Sequence, residues 1–153
     1  MPRDSQRSKL YRAEHVTFAR GEPLKMPLDF ETIKECQTYV NRVTKSKFWK
    51  SMGGRSFVHV KPVPSRNYAR GWRNRIELPP WAFGKVVILH ELAHALTLQV
   101  DWQDGTHGPD FVYVYRQLLE QELGIDERRR FDRVAEVNRV QWGMSAAMRR
   151  RLD

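Results

Sequence analysis

The sequence has a single cysteine, Cys36. One thiol excludes an internal disulfide framework and any multi-cysteine metal cluster. It also makes a reducing compartment, the cytoplasm, the simplest expectation. No run approaches the roughly 18 consecutive apolar residues that a membrane-spanning helix needs. The basic start, MPRDSQRSKL, leads into no apolar stretch, so neither a secretory signal nor a membrane partner is expected. Internal repeats and low-complexity tracts are lacking too. The most localised absence is of acid: no Asp or Glu occurs from Cys36 to Ile76.

What remains is globular in character. The chain has 153 residues, 41% hydrophobic and 29% charged, which suits one domain over 1–153 able to bury its own core. The net charge of +9 is concentrated in the acid-free segment, where Arg42, Lys45, Lys47, Lys50, Arg55, Lys61, Arg66, Arg70, Arg73 and Arg75 stand unopposed. The rest is close to neutral. Such a segment fits an acidic partner, nucleic acid included, or serves solubility alone. Phe48, Trp49, Phe57, Tyr68 and Trp72 interleave with the charges, and cationic grooves with stacking aromatics bind single-stranded nucleic acid. Lys61, Arg66, Arg70, Arg73 and Arg75 are the candidate contacts. The plainer alternative is that the aromatics are core and the charges a solvated face. The Arg128–Arg130 and Arg149–Arg151 runs carry less weight, because acids surround the first and the second is terminal.

Hydrophobic periodicity predicts an α+β fold. The first 20 residues read as a polar helix with Leu10, Ala13, Val16, Tyr11 and Phe18 on its apolar side, and 1–28 as that helix plus a linker. A second helix runs from an Asp29 N-cap to about Lys47, with Phe30, Ile33, Cys36, Tyr39 or Val40, and Val43 inward. Strand-like alternation covers Phe57–Val63. A second strand, Trp72–Leu78, ends at Pro79-Pro80, so 55–79 reads as a small antiparallel sheet. WAFGKVVILHELAHALTLQVD is a helix apolar on two sides, hence central. Its third side carries Val87, His90, His94, Thr97 and Asp101. Pro109 opens another helix that Gly124 stops. A last helix spans about Asp126–Val140, and 141–153 is a short basic tail. His15 and Cys36 read as structural.

His90-Glu91-Leu92-Ala93-His94 is an HExxH motif. On a helix its two histidines lie about one turn apart on one side, where both imidazoles can reach one ion. Zinc accepts such nitrogen donors tetrahedrally and leaves one position open when catalytic. Glu91, beside the first histidine, suits a general base. A third ligand is required. His107 is the first choice, since Gly108 and Pro109 fix the entry of the next helix. Asp101, Asp104, Glu120 and Glu122 are the alternatives.

HELAHAL followed by DGTHGPDF resembles the SprT-like zinc metallopeptidases of the zincin superfamily, which include the Spartan-type DNA–protein crosslink proteases. The likeness spans roughly residues 55–118. RDSQRSKLYRAE, IELPPWAFGKVVILHELAHAL and HGPDF are similar in greater detail to small metallohydrolases of actinobacteria and their phages. The resemblance implies a minimal zincin-like domain, a small antiparallel sheet packed on a central HExxH helix with flanking helices. It implies one catalytic zinc on His90, His94 and His107, with Glu91 as base. The paired-cysteine zinc ribbon of some relatives has no counterpart here.

The expected activity is therefore that of a zinc metallohydrolase of metallopeptidase type acting on peptides or proteins. Tyr113, Tyr115 and His59 are candidate donors to the substrate oxyanion. Asp101, Asp104 and Asp110 are candidates to orient a ligating imidazole. An extended peptide could add to a free sheet edge through Arg73–Leu78. The alternatives are hydrolysis of a non-peptide amide or other small substrate, and a non-catalytic zinc protein that docks nucleic acid through 36–76.

Overall fold

The computed structural model describes residues 4–64, 66–97 and 106–152. In chain order its elements are α1 (Arg7–Phe18), α2 (Ile33–Val43), α3 (Lys47–Ser51), β1 (His59–Pro62), β2 (Arg70–Gly71), β3 (Arg75–Leu78), a 3-10 turn (Pro80–Ala82), α4 (Lys85–Thr97), α5 (Pro109–Leu123), α6 (Ile125–Val137) and α7 (Ala146–Leu152). The fold is α+β, as expected. One compact unit comprises Met26–Leu98, and the other gathers Met1–Lys25 with Gln99–Arg151. Among the described residues no helix is long and apolar enough to cross a membrane.

The Met26–Leu98 unit is built on a three-stranded sheet of order β1-β3-β2. Alternation holds on β1, where Val60 is buried and His59 and Lys61 are exposed. The sheet is mixed, however, and not antiparallel throughout. β1 runs parallel to β3, from His59↔Arg75 to Pro62↔Leu78, while β2 is antiparallel to β3. Periodicity reports which side chains share a face but not the direction of a strand. The expected strand Trp72–Leu78 is interrupted for a related reason. The Trp72 N–H donates to the Arg75 carbonyl at 2.7 Å, which turns the chain from β2 into β3. β3 is thereby the central strand, so Arg73–Leu78 offers no free edge to a peptide. Its Ile76, Glu77 and Leu78 are all buried. Glu77 is paired with Arg66, and Arg75 Nε lies 3.7 Å away, as a buried charge requires.

α2 packs on β1. Gln37 reaches the outer edge of that strand: its Nε2 donates to the Val58 carbonyl at 2.9 Å and its Oε1 accepts the Val60 N–H at 2.7 Å. The N-cap of α2 is Thr32, whose Oγ1 accepts the Glu35 N–H at 3.2 Å, and not Asp29. Asp29 is drawn elsewhere. Its N–H and that of Phe30 both donate to the Phe83 carbonyl at 3.0 Å, and its Oδ2 accepts the Lys85 N–H at 2.7 Å. Asp29 thus caps α4. α2 also stops at Val43, short of Lys47. Ser46 caps α3 by accepting the Trp49 N–H at 3.2 Å, and Trp49 is fully buried.

α4 packs against β2 and β3 and is buried from Val86 to Thr97. The close approach falls at Gly71, where any Cβ would run into the Glu91 carbonyl.

In the other unit α6 packs on both α1 and α5. Phe18 stacks on Phe131 at 6.2 Å, and Tyr115 meets Phe131 edge-on at 5.5 Å. The buried face of α1 runs through Leu10, Ala13, Glu14, Thr17 and Phe18, while Val16 is exposed. Glu14 displaces it inward because the Tyr115 hydroxyl donates to Glu14 Oε2 at 3.0 Å. Val137 is likewise exposed, and Phe131 and Ala135 face inward on α6. Arg116 grips Asp132 through Nε at 2.6 Å and Nη2 at 2.9 Å, and Arg128 joins them at 2.8 Å. The Arg128–Arg130 run is therefore partly internal wiring. Gly108 precedes α5, Pro109 is its first residue, and Gly124 ends it at φ 96°. The basic tail contains α7, capped by Ser145 Oγ on the Met148 N–H at 3.1 Å, with Met148 fully buried.

Burial, aided by the nearby Glu35 charge, pushes the Cys36 thiol up to about 11. Cys36 should thus resist iodoacetamide at pH 8 in the folded protein and react readily in 6 M guanidinium; rapid labelling of the native state would contradict its burial. Asp29→Ala should lower the urea midpoint with the m-value unchanged, by about 1 kcal/mol as typical for a lost helix cap.

Candidate metal centre

Two features of the sequence fix the first half of the site. The i, i+4 spacing puts His90 and His94 on one side of α4, with ring centroids 5.0 Å apart and planes at 69°. Asp29 at the start of the helix and Gly71 against its middle hold that helix in place. His90, Glu91 and His94 are all buried, an unusual density of polar groups on an otherwise apolar helix.

His107 stands in the turn before α5. Its Nδ1 lies 2.6 Å from Asp4 Oδ2. Thr106 Oγ1 donates to the same carboxylate oxygen at 3.2 Å. Gln6 Nε2 donates to the His107 carbonyl at 3.0 Å and to that of Gln141 at 3.1 Å. The ring is met edge-on by Phe111 at 5.1 Å and Tyr11 at 5.3 Å. The Tyr11 hydroxyl is 3.5 Å from Nε2.

The ligand atoms of His90, His94 and His107 all lie within 4.8 Å of one another. Three buried imidazoles at that spacing could hold a metal ion. The donor set fits: imidazole suits zinc and its first-row neighbours, and three nitrogens leave a tetrahedral ion one open position.

The other expected site residues are distributed as follows. Glu91 follows His90 on α4. Glu120 lies 3.5 Å from Arg128, and neither it nor Glu122 belongs to the histidine group. Asp101 and Asp104 lie outside the described residues. Asp110 does not orient an imidazole in the described contacts; its Oδ1 accepts the Ser145 N–H at 2.6 Å. Tyr113 is half-buried on α5. Tyr115 is a core residue whose hydroxyl is engaged by Glu14. His59 is exposed on β1, 6.5 Å from the Phe57 ring. Asp4, Gln6 and Tyr11 fall in the RDSQRSKLYRAE stretch but were not expected as site residues, and Tyr11, expected on the apolar side of its helix, is exposed. They meet His107 across 103, 101 and 96 positions, and no local pattern announces contacts of that range.

The acid-free segment resolves into a ladder. The Arg66 guanidinium lies 5.3 Å from the Tyr68 ring, and Arg70 lies 5.5 Å from both Tyr68 and Trp72. Arg75 lies 4.5 Å from Trp72. Tyr68 and Phe57 are exposed, whereas Trp49 is core. Lys61 and Arg73 face solvent, and Arg66 and Arg75 are committed to Glu77.

Comparison with family models, with curated proteins and with solved structures gives no match.

The purified protein should bind one equivalent of zinc. Alanine at His90, His94 or His107 should each weaken it by more than the about 100-fold that losing an outer-shell partner can cost, read by chelator competition. Gly71→Ala should destabilise the fold by about 1–3 kcal/mol, as overpacking does, because the added methyl meets helix backbone.

Proposed function

We propose that the protein is a zinc-dependent hydrolase acting on peptide bonds. The observation that carries this reading is the buried group of His90, His94 and His107 together with the buried Glu91 one residue along α4. The likeness of HELAHAL and HGPDF to SprT-like peptidases supports the same chemistry. Zinc held by the three imidazoles would polarise a carbonyl and acidify a water molecule near neutral pH. Glu91 takes the proton from the attacking water and delivers it to the leaving amine. Burial of Glu91 keeps bulk water from competing for that role. Tyr11, whose hydroxyl stands near His107 Nε2, donates a hydrogen bond to the carbonyl oxygen as negative charge develops there.

Wild type and Glu91→Gln should carry equal zinc, while the variant cleaves casein or a DNA-binding protein about 10²–10⁴-fold more slowly, the range for loss of acid–base catalysis. Tyr11→Phe should keep zinc and lower kcat by about 10²-fold or more. Zinc bound without cleavage under any condition would turn the assignment toward a small non-peptide substrate or a docking role. No zinc after full loading would remove the hydrolase reading altogether.

A second reading concerns the partner. The Arg66–Tyr68–Arg70–Trp72–Arg75 ladder favours single-stranded nucleic acid, because its arginines hold aromatic rings in a cationic setting where bases stack and phosphates pair. Labelled oligo-dT should bind with strong salt dependence. Tyr68→Ala should weaken it about tenfold or more, the worth of one stacked base. Binding that ignores both salt and Tyr68→Ala would leave the ladder a solvated surface.

A further inference from the structure

His107 has two ring nitrogens, and only one can serve a metal. Its Nδ1 faces Asp4 Oδ2 at 2.6 Å, the short distance of a charge-assisted hydrogen bond. A carboxylate is an acceptor only, so the proton belongs to Nδ1 and the lone pair to Nε2. The contact is braced from several directions. Thr106 Oγ1 donates to the same Asp4 oxygen at 3.2 Å. Gln6, itself buried, clamps the His107 carbonyl, while its Oε1 accepts the Gln141 N–H at 2.6 Å. Phe111 and Tyr11 fix the plane of the ring from its edges. The second Asp4 oxygen, Oδ1, is buried and makes no hydrogen bond among the described residues. Asp4 therefore accepts a desolvation cost that a carboxylate serving only as a surface cap would escape.

We propose that Asp4 is a positioning residue of the metal centre: it holds His107 as the Nδ1–H tautomer, presents Nε2 as the ligating atom and raises its basicity. The inference rests on the metal reading above and assigns to it a residue 103 positions from the ligand it serves.

The test uses the full chain, with Asp4→Ala, Asp4→Asn and His90→Ala beside wild type. Zinc affinity is read by chelator competition, and His107 tautomer in the zinc-free protein by long-range ¹H–¹⁵N NMR. Wild type should show the Nδ1–H form. Asp4→Ala should weaken zinc about 10–100-fold and shift His107 toward Nε2–H. Asp4→Asn keeps a neutral acceptor and should fall between. Circular dichroism melting of the zinc-free proteins separates this from loss of fold; if Asp4→Ala does not fold, the isosteric Asn variant carries the comparison. Wild-type zinc binding that Asp4→Ala and Asp4→Asn both match would overturn the role of Asp4 and leave the metal site standing. So would an Nε2–H tautomer in wild type. Wild type that binds no more zinc than His90→Ala overturns the metal reading and this inference with it.

Discussion

Every described residue of α4 after Lys85 is buried, yet that helix carries His90, Glu91, His94 and Thr97. Polar groups removed from water cost a few kcal/mol each unless something replaces the lost hydrogen bonds. Thr97 solves this within the helix, donating to the Ala93 carbonyl at 2.8 Å. His90 and His94 instead meet each other edge to face, with ring centroids 5.0 Å apart. Much of the Met26–Leu98 unit is arranged around keeping this helix in one place: Asp29 satisfies its first N–H, Phe83 ties the preceding loop to 29–30, and Gly71 lets β2 lie against the Glu91 backbone. With His107, the two imidazoles could hold a metal ion, which would meet the need that buried water meets elsewhere.

The same economy governs the charge. The excess of basic residues from 36 to 76 is not spread evenly over solvent. Glu77, the first acid after that stretch, takes up Arg66 and Arg75 inside the sheet. Aromatic rings separate these arginines from Arg70, so neighbouring guanidinium groups are screened by polarisable faces instead of opposing each other directly. Lys45, Lys47, Lys50, Arg55, Lys61, Arg70 and Arg73 remain exposed.

Local features were legible in the sequence and long-range ones were not. The spacing of His90 and His94, the Pro109 start and Gly124 stop of α5, and the alternation along β1 all follow from one element's own period. His107 could be favoured because Gly108 and Pro109 mark a defined helix entry. Asp4, Gln6 and Tyr11 could not, because a polar residue near a chain start has the same sequence appearance whether it faces water or a histidine. The direction of β1 relative to β3 was equally hidden, since period-2 patterning is the same in either sense. Asp29 shows a mixed case. Its residue type was rightly read as a cap, but it caps α4, 56 positions on, where Thr32 was free to serve α2. Val16 shows that an apolar residue at helical spacing yields when a polar one, here Glu14, has a buried partner.

Gln37 denies one border of the sheet to other chains. A sheet edge with unpaired N–H and C=O groups invites another strand, which is how edge-to-edge aggregation begins. On the outer side of β1 one amide side chain occupies both the Val58 carbonyl and the Val60 N–H. It mimics a single residue of a fourth strand and then turns away into α2. On that side the amide adds to the exposed Lys61 and the terminal Pro62 of β1, and at the opposite side β2 is two residues long, too short to template much pairing. The small sheet is thus protected at one border by a side chain and at the other by brevity.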